Sequence, residues 1–297
     1  MKTPLFKGCA TALVTPFHLD GSLDEEALVR LIKMQCAAGM HALVLLGTTG
    51  EPSTLTMQER ERVITLGIEA AGDTPVIVGT GSNDTRQAAQ YARQAKALGA
   101  VGQLCVTPYY NKSTQEGLIR HFSMIAKSCD LPMILYNVPA RTGMCIAPET
   151  VKSLHTHSGI AGIKEASGDL TLSARMLEVT EGAFPVYAGN DDLILPMMAQ
   201  GALGAISVAS NLLPSQLRAL TEICLAGRYD SAQSKQMALL PLIRLLFSQV
   251  SPIPVKAALS AMGLIEESLR LPLTPLEHPY RSQLMDTLRA MKLIDES

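Results

Sequence analysis

The sequence predicts an α/β fold, a (β/α)8 TIM barrel followed by a C-terminal helical appendage. Three observations predict it. Short apolar runs alternate with helix-like stretches eight times, glycines stand where helices hand over to strands, and no strong dinucleotide fingerprint marks a doubly wound sheet.

The apolar runs fall at residues 9–14, 42–46, 75–78, 102–106, 132–135, 159–163, 184–187 and 203–208. Each is bounded by Gly, Pro or Asn clusters, the pattern of parallel strands buried on both faces. The helical stretches follow in turn. Residues 24–38 carry Leu28, Leu31, Ile32 and Gln35 at helical spacing and stop at Gly39. Thr56-Met57-Gln58-Glu59 is a capping box, in which hydroxyl and carboxylate each satisfy a free N–H, and its helix runs to about Gly72. Residues 84–98 are alanine-rich and end at Gly99. Gly39, Gly99 and Gly201 suit left-handed C-caps. The nearest match to a dinucleotide motif, Gly79-Thr80-Gly81-Ser82-Asn83-Asp84, lacks the third glycine. Beyond Gly227 the pattern predicts only helices, at 229–247, 254–262 and 279–291. The expected division is therefore a catalytic barrel over 1–226 and a helical domain over 227–297.

Composition narrows the function classes. The 297 residues are 47% hydrophobic and 18% charged, with a net charge of −2. This is a globular chain without the basic face that nucleic acid binding requires, so no nucleic acid partner is expected. No apolar run approaches the roughly 18–20 residues that span a bilayer. The best candidate, 239–247, is short and contains Arg244. No signal peptide is apparent, and six scattered cysteines without a CxxC pair read as buried reduced thiols. A cytoplasmic protein is expected, with no membrane partner.

In such a barrel the chemistry sits at the C-terminal strand ends. Thr11 and Thr15, Gly47-Thr48-Thr49-Gly50-Glu51, residues 107–112, Tyr136-Asn137 with Arg141, Lys164-Glu165, Gly189-Asn190-Asp191 and Ser207 are expected on that rim. Lys164 is the sharpest candidate, because it directly follows the apolar run 160–163. A lysine amine kept from water is a ready nucleophile for Schiff-base chemistry. The other reading is an ion pair with Glu165 or another rim carboxylate. Tyr136 and Tyr110 are candidate proton shuttles, or aromatic packing under the rim. The Gly47–Glu51 loop is a candidate carboxylate cradle, or a tight turn with local hydrogen bonds. No metal is expected: His155 and His157 are two apart, His18, His41, His121 and His278 are isolated, and Asp191-Asp192 reads as a solvated turn or helix start. No cofactor is expected either.

Taken together, these motifs resemble the dihydrodipicolinate synthase (4-hydroxy-tetrahydrodipicolinate synthase) family, in the pyruvate-dependent class I aldolase superfamily with N-acetylneuraminate lyase. The resemblance covers about Gly8 to Pro275. It is carried by Gly47-Thr48-Thr49-Gly50-Glu51, Thr107-Pro108-Tyr109-Tyr110-Asn111, residues 136–143 (YNVPARTG), Gly162-Ile163-Lys164-Glu165-Ala166 and Pro252-Ile253-Pro254-Val255-Lys256. It implies condensation of pyruvate with L-aspartate 4-semialdehyde in the diaminopimelate/lysine pathway. Lys164 would form the Schiff base, and Tyr136 would be the general acid/base. Thr48 and Tyr110 would complete a proton relay, with Tyr110 entering from a neighbouring subunit. Thr48 and Thr49 would hold the pyruvate carboxylate, Arg141 the second carboxylate, and Gly189 and Ile206 would line the pocket through backbone atoms. The family is commonly a homotetramer of tight dimers.

Alternatives are a related aldolase acting on a sugar acid or 4-hydroxy-2-oxoglutarate, or a non-catalytic pyruvate or amino-acid sensor on the same barrel. A sialic-acid lyase would be expected to carry Ser in place of Thr48. Members inhibited by lysine use a Tyr, an Asn, a His and a Glu at an interface site. Tyr109 and Asn83 match, but Arg60 stands at the His position and Gln87 at the Glu position. Weak feedback by lysine is therefore expected. Otherwise Arg60 and Gln87 are ordinary exposed helix residues beside a vestigial cleft.

Overall fold

The structure, a computed structural model, describes residues 2–295. Eight parallel strands close into a barrel in sequence order. They are β1 (Gly8–Ala12), β2 (Ala42–Leu45), β3 (Val76–Gly79), β4 (Gly102–Val106), β5 (Met133–Asn137), β6 (Ile160–Glu165), β7 (Val186–Ala188) and β8 (Gly204–Ser207). β8 pairs back to β1, with Ala10 opposite Ile206. Helices on the outside cover every strand, so both strand faces are buried and the strands read as continuous apolar runs.

Four strands run further than the apolar runs suggest. β3 and β7 each extend one residue, and β5 and β6 two, because their ladder continues through polar residues: Tyr136 pairs with Lys164 and Asn137 with Glu165. Lys164 is thus a strand residue rather than the first residue after one. β1 instead stops at Ala12, short of Val14. Inward-facing residues, among them Ala10, Val44, Ile77, Ile134 and Ile206, fill the barrel. Phe6 joins this cluster, stacked on Tyr187 at 4.4 Å, and the Tyr187 hydroxyl donates to the Phe6 carbonyl at 2.8 Å. The outward faces pack with the helices into a second, larger apolar layer. All six cysteines are free; Cys9, Cys105 and Cys224 are buried as expected, with burial pushing the Cys105 thiol up to about 12, whereas Cys36, Cys129 and Cys145 are only half-buried. Among the described residues no helix is long and apolar enough to cross a membrane.

Three helices close the chain, Tyr229–Leu246, Ile253–Ala261 and Tyr280–Ala290, each within a residue or so of the bounds expected for it. They reach back to the barrel. Lys256 meets Glu51, in the loop after β2, at 2.6 Å with both side chains buried. Lys256 and Arg270 also place their charges over the Phe17 ring, at 4.3 and 4.2 Å from its centroid. Arg270 further binds Glu59, the carboxylate of the Thr56 capping box, which is present as expected.

This last contact has a pH signature. The Arg270 guanidinium, aided by the Thr56 donors, lowers the Glu59 carboxyl from 4.5 to about 2. A carboxyl depressed on folding stabilises fully above its unfolded value, and the contribution fades as pH falls through the folded one. Glu59→Gln should therefore lower the melting temperature at pH 7 and flatten its decline between about pH 4.5 and 2. Melting curves across that range, monitored by circular dichroism, check this; parallel acid limbs in the two proteins would contradict it.

Candidate active site

The side chains of β6 alternate, as in any strand. Lys164 points into the barrel and Glu165 away from it. Glu165 accepts hydrogen bonds from the Asn137 side chain at 2.7 Å and the Ser167 amide at 2.5 Å. Burial raises its carboxyl, and those bonds oppose the shift. Glu165 is therefore committed to the outer layer, and the Lys164–Glu165 ion pair weighed from the sequence does not form. Among the described residues Lys164 makes no ion pair and no hydrogen bond, although it is only 4% exposed. Its Nζ lies 4.6 Å from the centroid of the Tyr136 ring on the neighbouring strand.

A cavity of about 450 Å³ opens above this pair. Thr48, Thr49, Tyr136, Arg141, Lys164 and Gly189 all line it. Thr48 and Thr49 lie in a short 3-10 turn, Thr48–Gly50, that the Thr15 hydroxyl pins by donating to the Gly50 carbonyl at 2.8 Å. Gly189 is required by space: a Cβ there would stand 2.5 Å from Ala166 Cβ, 2.9 Å from the Glu165 carbonyl oxygen and 3.0 Å from Lys164 Cε. Arg141 sits on the short helix Pro139–Thr142, and its Nη2 donates to the Ser251 carbonyl at 3.1 Å. Among the described residues no Asp or Glu lines the cavity, while Lys164 and Arg141 do. Such a site suits anionic substrates.

Two expected site residues lie elsewhere. Tyr110 is 93% exposed on the loop after β4, with a left-handed φ of 68°, and does not line the cavity. Ile206 is fully buried in the barrel interior; Val208 is the residue from the β8 end that lines the cavity. The rim is also narrower than the sequence suggests. Thr11 turns outward to Gln35, at 2.7 Å, and Asn137 and Glu165 face the helices. Asp191 is not solvated. It is 1% exposed and accepts from the amides of Val208 and Ala209, at 3.0 and 2.8 Å. Burial raises its carboxyl against the pull of Ser207, those amides and the Lys164 charge. His18 is not isolated either: it bonds Glu266 at 2.9 Å and lies 3.9 Å from Asp24, but none of the three lines the cavity.

Residues 247–251, between two of the C-terminal helices, form one wall of the cavity. Sequence reasoning gave them no role, and no local pattern marks them. The adjacent Pro252–Lys256 motif was the available signal.

A second cavity, of about 550 Å³, adjoins the first, and Thr48, Tyr136 and Arg141 line both. Arg60 lines it and is buried rather than exposed. It donates to the Gly79 carbonyl at 2.9 Å and stacks 4.0 Å from the Tyr91 ring centroid. Burial lowers its pKa, against the opposing influence of Tyr91 and Tyr109. Gln87 is half-buried and does not line this cavity.

The Dihydrodipicolinate synthetase family model matches residues 5–291. The chain belongs to that family. A relative from Alkaliphilus oremlandii, a 4-hydroxy-tetrahydrodipicolinate synthase, is 48% identical over 98% of this chain and 100% of its own. The dihydrodipicolinate synthase of Thermotoga maritima is 42% identical with a TM-score of 0.95, over 98% of this chain and 100% of its own. A structure of the chloride-inhibited dihydrodipicolinate synthase from Acinetobacter baumannii, complexed with pyruvate, is 41% identical with a TM-score of 0.95, over 97% and 99%. At this likeness over the full length, the family activity of 4-hydroxy-tetrahydrodipicolinate synthase, a lyase, is the activity of this chain.

Proposed function

We propose that the chain condenses pyruvate with L-aspartate 4-semialdehyde through a Schiff base on Lys164. The observation that carries this reading is the buried Lys164 amine, unpaired among the described residues, facing a cavity that Arg141 lines as a second cation and no described carboxylate lines. The pyruvate complex of the Acinetobacter baumannii relative supports the first substrate.

The chemistry follows from the groups around the amine. Lys164 Nζ attacks the keto carbon of pyruvate, and loss of water leaves an iminium. Thr48 and Thr49 hold the pyruvate carboxylate with hydroxyl and backbone donors of the turn. The positive iminium makes the methyl protons acidic. Tyr136, beside Lys164 in register, takes one through Thr48, and the enamine attacks the aldehyde carbon of the semialdehyde. The new alkoxide takes a proton back through the same phenol, and water adds to the regenerated iminium carbon, breaking its bond to Lys164 Nζ and freeing the product and the amine. Arg141 receives the second carboxylate on its planar fork. Gly189, with Val208 from the β8 end, borders the bound keto acid. Tyr110 completes the relay from a neighbouring subunit of a homotetramer. Its exposed, left-handed position on a loop supports that role, because the described residues of its own chain leave it 93% exposed. Residues 1–226 act as the catalytic barrel, and 227–297 as a helical domain that walls it. The enzyme works in the cytoplasm.

An aldehyde panel tests the substrate. Aspartate semialdehyde should be turned over in preference to sugar aldehydes. Arg141→Ala should raise its KM roughly 10- to 100-fold, the worth of a charge-assisted hydrogen bond, while leaving pyruvate binding nearly unchanged. Preferred turnover of a sugar aldehyde, or equal loss with both substrates, would overturn this reading.

Lysine feedback should be weak. Free lysine brings two ammonium groups and one carboxylate. Arg60 adds a buried cation to the second cavity, whose carboxylate, Glu51, is committed to Lys256. Gln87, outside that cavity, stands where the inhibited members carry a Glu, so a lysine that reaches it lacks an acceptor worth ~1.5–3 kcal/mol, or roughly 10- to 100-fold in affinity. Titrating lysine into the synthase assay checks this; strong inhibition below millimolar lysine would refute it.

A further inference from the structure

We infer that the buried Lys256–Glu51 ion pair positions the Thr48–Thr49 turn, so that the C-terminal helices set the enzyme's affinity for its keto acid. The inference rests on the proposed reading that this turn holds the pyruvate carboxylate. It concerns two residues that do not themselves meet the substrate's reacting atoms.

Glu51 closes the turn. Its amide donates to the Thr48 carbonyl at 3.2 Å, and its carbonyl accepts from the Thr54 hydroxyl at 3.0 Å. Its backbone is left-handed, with φ 51° and ψ 44°, a conformation that residues with a Cβ adopt at a cost. That conformation persists only where the surroundings over-determine it. Here the surroundings are supplied by the far end of the chain. Glu51 Oε1 meets Lys256 Nζ at 2.6 Å, 205 residues away, and Oε2 accepts from the Arg270 amide at 3.3 Å. Glu51 is 3% exposed and Lys256 is fully buried. The ammonium is further held over the Phe17 ring, leaving it little freedom to follow a displaced carboxylate.

Stability alone does not account for such a pair. Apolar residues of similar volume commonly replace buried ion pairs with no loss of stability, whereas a charged, hydrogen-bonded pair fixes one geometry. The geometry fixed here is that of the residue next to the turn. Lys256 does not line the 450 Å³ cavity, whereas Thr48 and Thr49 do, and its contact with Glu51 is the link between it and their turn.

The test uses the full chain carrying Lys256→Met, with pyruvate-dependent borohydride inactivation and steady-state kinetics as readouts. Half-saturating pyruvate for inactivation and the pyruvate KM should rise together by roughly tenfold or more, since a misplacement of about 1 Å is enough to cost that much. The KM for the aldehyde and kcat at saturating pyruvate should stay within about threefold. A merely structural role would lower the melting temperature and leave both pyruvate constants unchanged, which overturns the inference. If Lys256→Met fails to fold, the double variant Glu51→Gln, Lys256→Met leaves no unpaired buried ion and carries the same readout: raised pyruvate constants support the inference, and unchanged ones overturn it. Failure of the unmodified enzyme to be inactivated by borohydride with pyruvate would instead overturn the underlying reading of the site. The two failures are thereby told apart.

Discussion

The alternation of side chains along β6 governs the rest of this site. Lys164 and Glu165 are neighbours in sequence, and the strand sends them to opposite faces. Were Glu165 to share the barrel mouth, the amine would have a counter-ion and the cavity a negative charge. Instead Glu165 is spent on Asn137 and Ser167 in the outer layer. Asn137 in turn accepts from the Ile146 amide at 2.9 Å, so the same carboxylate that is kept from Lys164 helps to seat the segment after β5. The cavity is left with Lys164, Arg141, hydroxyls and backbone donors. Two carboxylate substrates and an amine nucleophile fit that set of groups.

The buried carboxylate near Lys164 is placed with equal care. Asp191 faces the β8 end, where its Oδ2 takes two amides, and its other oxygen has no partner among the described residues. Its charge therefore reaches Lys164 through the protein rather than by contact. Glu51, the acidic residue next to the cradle, is neutralised by Lys256. Each acid around the mouth is thus turned outward, capped by backbone donors or paired, and none of them contacts the amine.

Much of this was legible in the sequence, and the reason is local. Strands buried on both faces are continuous apolar runs, so all eight units could be found, and Lys164, Thr48, Tyr136 and Arg141 stand just where those runs give out. The parts that were not legible depend on contacts distant along the chain. Asp191 looks like a solvated turn or helix start until the residues just after β8, Val208 and Ala209, 17 and 18 positions on, bring two amides to it. Arg60 looks like an exposed helix residue until the next helix lays Tyr91 on its guanidinium. The wall at 247–251 and the Lys256–Glu51 pair join segments some 200 residues apart. Strand ends were misjudged by one or two residues because hydrogen-bond ladders do not stop where apolarity does.

In the proposed reaction Lys164 alone, of all the lysines, is the amine that meets the keto acid. Reduction with borohydride in the presence of pyruvate, followed by peptide mapping in a mass spectrometer, tests this directly. One adduct per chain is expected, on the peptide that contains Lys164. An adduct on another lysine, such as Lys112 on the exposed loop after β4, or full activity without any adduct, would contradict it.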